Sequence, residues 1–166
     1  MVLNDFARWM YRGRRPNWLA RVLNQIWAAI GTTGIAANYM VTLEVAGRSS
    51  GRRISLPVVV AIVDGQRYLV SMLGERAEWV RNGRADGGRA VIRSGRREDV
   101  TLVDVPVDQR APILKDYLQR APGARPHMPV DKDAPLAAFA RIAADFPVFR
   151  VVATAPTPAS LAAKST

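Results

Sequence analysis

The chain of 166 residues contains no cysteine. That removes disulfides, thiol nucleophiles, iron–sulfur ligands and zinc-thiolate sites together. Histidine occurs once, as His127 in the run Arg125-Pro126-His127-Met128-Pro129. A Ser-His-Asp triad would have to use it, and the sequence holds no Gly-x-Ser-x-Gly elbow. With one histidine and scattered acids, no metal site is expected. The phosphate loop G-x-x-x-x-G-K-[ST] is missing, and no G-x-G-x-x-G follows a strand. No stretch reaches the ~18 apolar residues of a spanning helix. The N-terminus lacks the continuous apolar core of a secretory signal, and a cytoplasmic location is expected. No catalytic side chain emerges, so if the chain is an enzyme, a bound cofactor carries the chemistry.

Lysine is nearly absent too, at Lys115, Lys132 and Lys164, although the basic residues number 24 against 14 acids, for a net charge of +10. Arginine supplies the rest. Its planar fork suits phosphate and carboxylate, so anionic partners are expected. About half the residues are apolar, and the length suits one folded domain.

Three parts follow along the chain. Met1–Gly31 is a basic helical arm, 32–152 a strand-rich cofactor-binding body with flanking helices, and Ala153–Thr166 a small, Pro-containing tail that reads as disordered. Phe6 to Leu43 contains no acid at all. The arm's aromatic and aliphatic residues share helical faces with a break at Arg14-Arg15-Pro16. Such a face packs on the barrel or on a second subunit, making a homodimer. The alternative is peripheral contact with an anionic membrane surface.

In the body, Val41–Val45 alternates as a strand and Arg53–Val63 reads as a long central one. Asp64-Gly65 marks a two-residue hairpin, and Arg67–Met72 returns. Arg76–Ala85 reads as a short helix. Arg89–Arg93 and Asp99–Val105 are strands joined across Ser94–Glu98. Hairpin connections argue for an antiparallel sheet curled into a small barrel, an α+β architecture. Ile113, Leu114, Tyr117 and Leu118 have helical spacing. Asp133–Asp145 reads as a further helix, with Asp133 as N-cap and Leu136, Phe139, Ile142 and Ala143 facing the barrel. Pro147–Val152 is the last strand. The arginines between Arg76 and Arg97 alternate with Glu75, Glu78, Asp86, Glu98 and Asp99, the pattern of a salt-bridged surface.

The strongest site candidate is the turn inside Leu43–Pro57 (LEVAGRSSGRRISLP). Its glycines let backbone approach a ligand, Arg48, Arg52 and Arg53 bring positive charge, and Ser49 and Ser50 add hydroxyls. A solvated hairpin is the plainer reading of the turn alone.

The runs GRSSGRRISLPVVV, DGQRYLVSMLGE, AEWVRNGRA and GGRAVIRSGRRE, in that order, resemble the nitroreductase-family deazaflavin-dependent oxidoreductases of actinobacteria. These belong with split β-barrel proteins of the FMN-binding, pyridoxamine-phosphate-oxidase-like group. The resemblance implies a site for coenzyme F420, an 8-hydroxy-5-deazaflavin whose reduced form donates a hydride to a small electron acceptor, a quinone, nitro compound or other electron-poor molecule. It places Arg48, Ser49, Ser50, Gly51, Arg52, Arg53 and Pro57 on the phosphate side. It places Val70, Ser71, Met72, Leu73 and Gly74 along the ring, with Trp79, Arg81 and Asn82 closing the site. Tyr39 and Trp79 are the acceptor-pocket candidates. FMN in the same fold is the alternative cofactor, and a non-catalytic lipid- or cofactor-binding barrel the alternative role. The chain lacks the exposed aromatic–basic interleaving of single-strand binders, so no nucleic acid is expected.

Overall fold

The computed structural model describes Tyr39–Thr154. The arm Met1–Gly31 and the tail after Thr154 lie outside the described residues.

Six strands form a closed barrel: β1 (Met40–Ala46), β2 (Arg53–Val63), β3 (Gln66–Val70), β4 (Arg89–Ser94), β5 (Arg96–Asp104) and β6 (Val148–Ala153). Their order around the wall is β1-β2-β3-β6-β5-β4, and β4 pairs back onto β1. Every pairing is antiparallel. The α+β antiparallel barrel expected from the hairpin signals is the fold the chain adopts. Asp64 and Gly65 both take positive φ, 51° and 74°, which lets two residues reverse the chain between β2 and β3.

Alternation along the strands builds two cores. Leu43, Val45, Val60, Leu69, Ala90, Ile92, Val100, Leu102, Phe149 and Val151 fill the barrel. Val59, Ala61, Val70 and Val148 point outward under the helices α2 (Ala111–Arg120) and α3 (Leu136–Ile142). The apolar run of β2 is thus explained: a strand covered on both faces cannot alternate with polar residues. Arg110 is buried with them. It donates to the carbonyls of Val105 (2.8 Å), Ala143 (3.0 Å) and Phe146 (3.4 Å), tying the end of β5 to the segment after α3.

The barrel's two ends differ. At one, Arg67 and Glu98, each on the interior-facing register of its strand, pair through two bonds of 2.9 and 2.6 Å. At the other lies α1 (Glu78–Ala85), whose Val80 packs into the barrel core with Ala77 just ahead of it. The β1–β2 turn and the ends of β3 and β5 belong to this second end.

Several boundaries differ from the sequence reading. β3 stops at Val70, because the Ser71 amide donates to the Pro147 carbonyl and the chain turns. Gly74–Arg76 is a 3-10 turn, and α1 starts at Glu78 instead of Arg76. The β4–β5 hairpin turns on Gly95 alone (φ 76°), so Glu98 lies in β5 opposite Ile92 and not in a loop over Ser94–Glu98. Asp133 does not cap α3. Pro135 in extended conformation holds that position, while the Asp133 carboxylate pairs with Lys132. Phe139 and Ala143 are buried as expected, but Leu136, in the first turn of that later-starting helix, is 49% exposed. Ala153 belongs to β6, paired with Val100, and not to the tail.

Gly88 is fixed by space as well as by φ (82°): a Cβ there would stand 2.3 Å from the Leu102 carbonyl oxygen. Its neighbour Gly87 (φ 64°) has open space. Gly88→Ala is expected to lower unfolding free energy by more than about 2 kcal/mol, and Gly87→Ala by about 1 kcal/mol. Urea titration of both variants compares strain plus clash with strain alone.

Candidate functional site

The β1–β2 connection is a turn held by its own backbone. The Gly47 amide donates to the Arg52 carbonyl and the Gly51 amide to the Gly47 carbonyl, both at 2.8 Å. The Arg52 amide donates to Ser50 Oγ at 3.2 Å. Gly51 takes φ 68°, and the space beside it is open. Ser49, Ser50 and Arg52 are exposed around it.

Helix α1 grips this turn through Asn82, a side chain only 2% exposed. Asn82 Oδ1 accepts from the Arg48 backbone amide at 3.2 Å and from Arg48 Nη1 at 2.8 Å. Glu78, one turn earlier on α1, accepts from the same Nη1 at 2.7 Å. Arg81 stands 3.6 Å from the other oxygen of Glu78.

Arg53 faces elsewhere. It donates to Glu44 Oε2 at 3.0 Å, and Arg93 Nε pairs with the second oxygen of that carboxylate. Glu44 is 7% exposed on the outer face of β1. Burial raises its pKa, but the hydrogen bonds and charges of Arg53 and Arg93 together outweigh burial and hold it below the ordinary carboxylate value. Of the three turn arginines, only Arg52 is without a carboxylate partner among the described residues.

The remaining expected site residues divide. Trp79, on α1, meets Phe149 edge-on, ring centroids 5.5 Å apart. Val70 points outward into the core under α2 and α3, away from the barrel end, because β3 alternates. Ser71 is 1% exposed, and its hydroxyl donates to the Gly74 carbonyl at 2.7 Å. The amides of Ser71 and Gly74 are used within the chain, by Pro147 and Ser71. Met72 packs on the outer core and Leu73 on the barrel core. Pro57 sits on the outer register of β2 opposite Thr42, partway down the strand from the turn.

Tyr39 and Trp79 do not share a pocket. Tyr39 precedes β1 at the barrel end opposite α1, with the Arg120 guanidinium 4.1 Å above its ring. Trp79 packs against the barrel core instead. Beside Trp79 a cavity of ≈ 340 Å³ is lined by Val80, Gly83, Arg84, Gly88, Leu102 and Phe149 among others. It opens on the face of α1 away from Glu78 and Asn82, and includes none of the β1–β2 turn. Arg84 stands 5.4 Å over the Phe149 ring and pairs with both Glu75 and Asp104, which raises its pKa further.

Among the described residues, no cluster of His, Asp and Glu could hold a metal ion. His127 lies in the 3-10 segment Pro122–His127, and its Nε2 is buried without a hydrogen-bond partner there. Among the described residues nothing bonds that nitrogen as an orienting group bonds a general base.

Glu44 and Glu78 were not singled out by sequence reasoning, although both shape the site. A lone acid in the strand Val41–Ala46 was the available signal for Glu44. Glu78 carried none, being one charge among many on a surface helix.

Residues 18–138 match the family described as F420H(2)-dependent quinone reductase. The chain belongs to that family. That description names a quinone reductase, where the sequence resemblance points to nitroreductase-family enzymes. The match takes in β1 through β5, the β1–β2 turn, α1 and α2, and ends inside α3 before β6. A comparison with curated proteins finds no match. Among solved structures, a protein of unknown function from Agrobacterium tumefaciens superposes with TM-score 0.52 at 15% identity, covering 81% of this chain and 60% of that one. The likeness is one of fold, and this chain spans well under two thirds of that protein's length. A conserved hypothetical protein from Mycobacterium tuberculosis gives TM-score 0.49 at 16% identity, over 75% of this chain and 81% of that one. An F420-H2 dependent reductase gives 0.47 at 16% identity, over 68% and 93% respectively.

Two measurements check the site's construction. Asn82→Ala is expected to cost about 1–3 kcal/mol, since it strands the Arg48 amide. Hydrogen exchange at that amide should accelerate in the variant. For Glu44 the folded pKa is depressed, so its contribution is present above its unfolded pKa and is lost as pH falls through the lower folded value. Glu44→Gln should cost about 1–2 kcal/mol at neutral pH. Its deficit should begin to shrink as pH falls through 4.5, the carboxyl's ordinary value, and be lost once pH falls below the lower folded value and the native carboxylate protonates. Urea titrations of both proteins across acid pH read this directly.

Proposed function

We propose that this chain is an F420-dependent oxidoreductase that passes a hydride from the reduced coenzyme to a quinone, nitro compound or other electron-poor organic molecule. The family membership supports the reaction class. The single observation that supports the site is the donor set at the β1–β2 turn: exposed Arg52, the Ser49 and Ser50 hydroxyls, and half-exposed Arg48 around the open Gly51. These are the donors an anionic phosphate needs, and they fit the coenzyme's charged side.

In this reading Arg52, Arg48, Ser49 and Ser50 hold the phosphate side, and Trp79 gives an apolar flank to the same barrel end. The bound coenzyme supplies the hydride. The protein's own residues orient, exclude water and tolerate developing charge, so no side chain need be a general base. Backbone amides of Met72 and Leu73, and not the internally bonded ones of Ser71 and Gly74, are the donors available along the ring. The acceptor is a small molecule, the working unit a homodimer, and the basic arm a contact with anionic lipid in which quinones partition.

Purified protein titrated with oxidised F420 and with FMN, followed by fluorescence and calorimetry, tests the reading. Micromolar F420 binding without FMN binding is expected, together with oxidation of the reduced coenzyme by a soluble quinone. Arg52→Ala should weaken F420 binding about tenfold and flatten its salt dependence. Binding of neither cofactor sinks the proposal.

A further inference from the structure

The cavity beside Trp79 has no part in the proposed function. It lies between α1 and β5, away from the β1–β2 turn, and measures ≈ 340 Å³. That is near the lower end of the roughly 300–1,000 Å³ range of small-molecule sites. Trp79, Val80, Leu102 and Phe149 give it apolar walls. Gly83 is also on the lining, and no packing constraint requires a glycine there. It sits inside α1, where alanine is the better helix former. A Cβ built on it would meet one atom within 4 Å, Leu102 Cδ1 at 3.9 Å, which is ordinary van der Waals contact. Gly88 on the same lining is different, because the Leu102 carbonyl oxygen leaves no room for a Cβ. At buried Gly83 the missing side chain leaves open cavity. An interior glycine that nothing crowds weakens its helix, and what the chain keeps by it is space.

The charges on the lining decide what can enter. Arg84 and Asp104 are its charged residues. They bond to each other twice, Nη2 to Oδ1 at 2.7 Å and Nε to Oδ2 at 3.3 Å. Glu75 accepts from Arg84 Nη1, and the guanidinium stands 5.4 Å over the Phe149 ring. Neither residue offers an unpaired charge to an incoming ion. A charged ligand would shed water against apolar walls and gain no free partner. An uncharged ligand avoids that loss. Trp79 meets Phe149 edge-on, so two aromatic rings border the space. We propose that this cavity is a binding site for a small, uncharged, planar aromatic molecule, separate from the β1–β2 turn. Quinones and nitroarenes belong to that class, but the inference does not depend on the proposed reaction or on any cofactor. The plainer reading is a solvent-filled gap left by imperfect packing. Such a gap would not sort probes by charge, nor respond to one methyl at position 83.

The test titrates the full chain with naphthol, which is uncharged at neutral pH, and with naphthoate and naphthylmethylammonium. These carry the same ring system with a negative or a positive charge. Amide and indole NMR shifts read both affinity and place. Naphthol is expected to bind in the submillimolar range and to move the signals of Trp79, Gly83 and Gly88. Each ion should bind at least about tenfold more weakly. Gly83→Ala should weaken naphthol binding about tenfold, because the methyl takes space the ring needs. The same variant should raise the thermal unfolding midpoint, because alanine favours the helix. A glycine kept for packing would show the opposite change in stability. Naphthol shifts confined to other parts of the chain, or no saturable shift at all, overturn the inference. So does equal affinity for the three probes, or undiminished naphthol binding by folded Gly83→Ala. A Gly83→Ala chain that circular dichroism shows to be unfolded also overturns it, since packing would then explain the glycine. All of these outcomes leave the cofactor proposal untouched.

Discussion

One buried amide oxygen organises the α1 end of this barrel. Asn82 Oδ1 takes two hydrogen bonds from Arg48, one from backbone and one from side chain, and so joins a hairpin turn to a helix 34 positions later in sequence. A hairpin of this composition would ordinarily project into water with no fixed relation to its neighbours. Here it cannot leave α1 without stranding a buried acceptor, a loss that costs more than the bonds themselves are worth in water. Everything else at this end follows from that attachment. The Arg48 guanidinium turns toward α1, and the space beside Gly51 stays open.

The attachment depends in turn on barrel closure. Because β4 pairs back onto β1, every interior position meets another side chain, and no sheet edge remains to be covered. The ends are then the places where function can be added. One carries the Arg67–Glu98 pair, a polar contact between β3 and β5. The other is closed by α1, which brings apolar Val80 inward and leaves its polar face for the turn. Val80 inward and Asn82 toward the turn are about 200° apart on a helix of 3.6 residues per turn, so one short segment serves both purposes.

Much of this was legible in the residues. Asp64-Gly65 could only be a tight reversal, and the apolar half of β2 could only be covered on both sides. The glycine-and-arginine turn stood out for the same reason it is useful: small residues where backbone must fold tightly, cations where nothing apolar would serve. The illegible parts were those set by tertiary pairing. Periodicity continues β3 to Met72, but the Pro147 carbonyl captures the Ser71 amide and ends the strand early. Tyr39 and Trp79 looked alike as aromatic candidates, yet the register of β1 sends one to each end of the barrel. The shared Nη1 of Arg48 has no sequence signal, since any of several acids could have faced it.

Charge shows most clearly how composition and structure differ as arguments. A surplus of ten positive charges suggests free cations waiting for a ligand. In the described residues many are already engaged: Arg48 with Glu78, Arg53 and Arg93 with Glu44, Arg67 with Glu98, Arg84 with Glu75 and Asp104, Arg120 with Asp116. These pairs stand at strand ends and across loops. What distinguishes the turn is therefore not its count of arginines but the unequal way they are held. Arg53 is fixed by a buried carboxylate, Arg48 by an exposed one, and Arg52 by none among the described residues. That gradation leaves Arg52 open at the turn, Arg48 in a half-exposed pair, and Arg53 in the wall of the barrel.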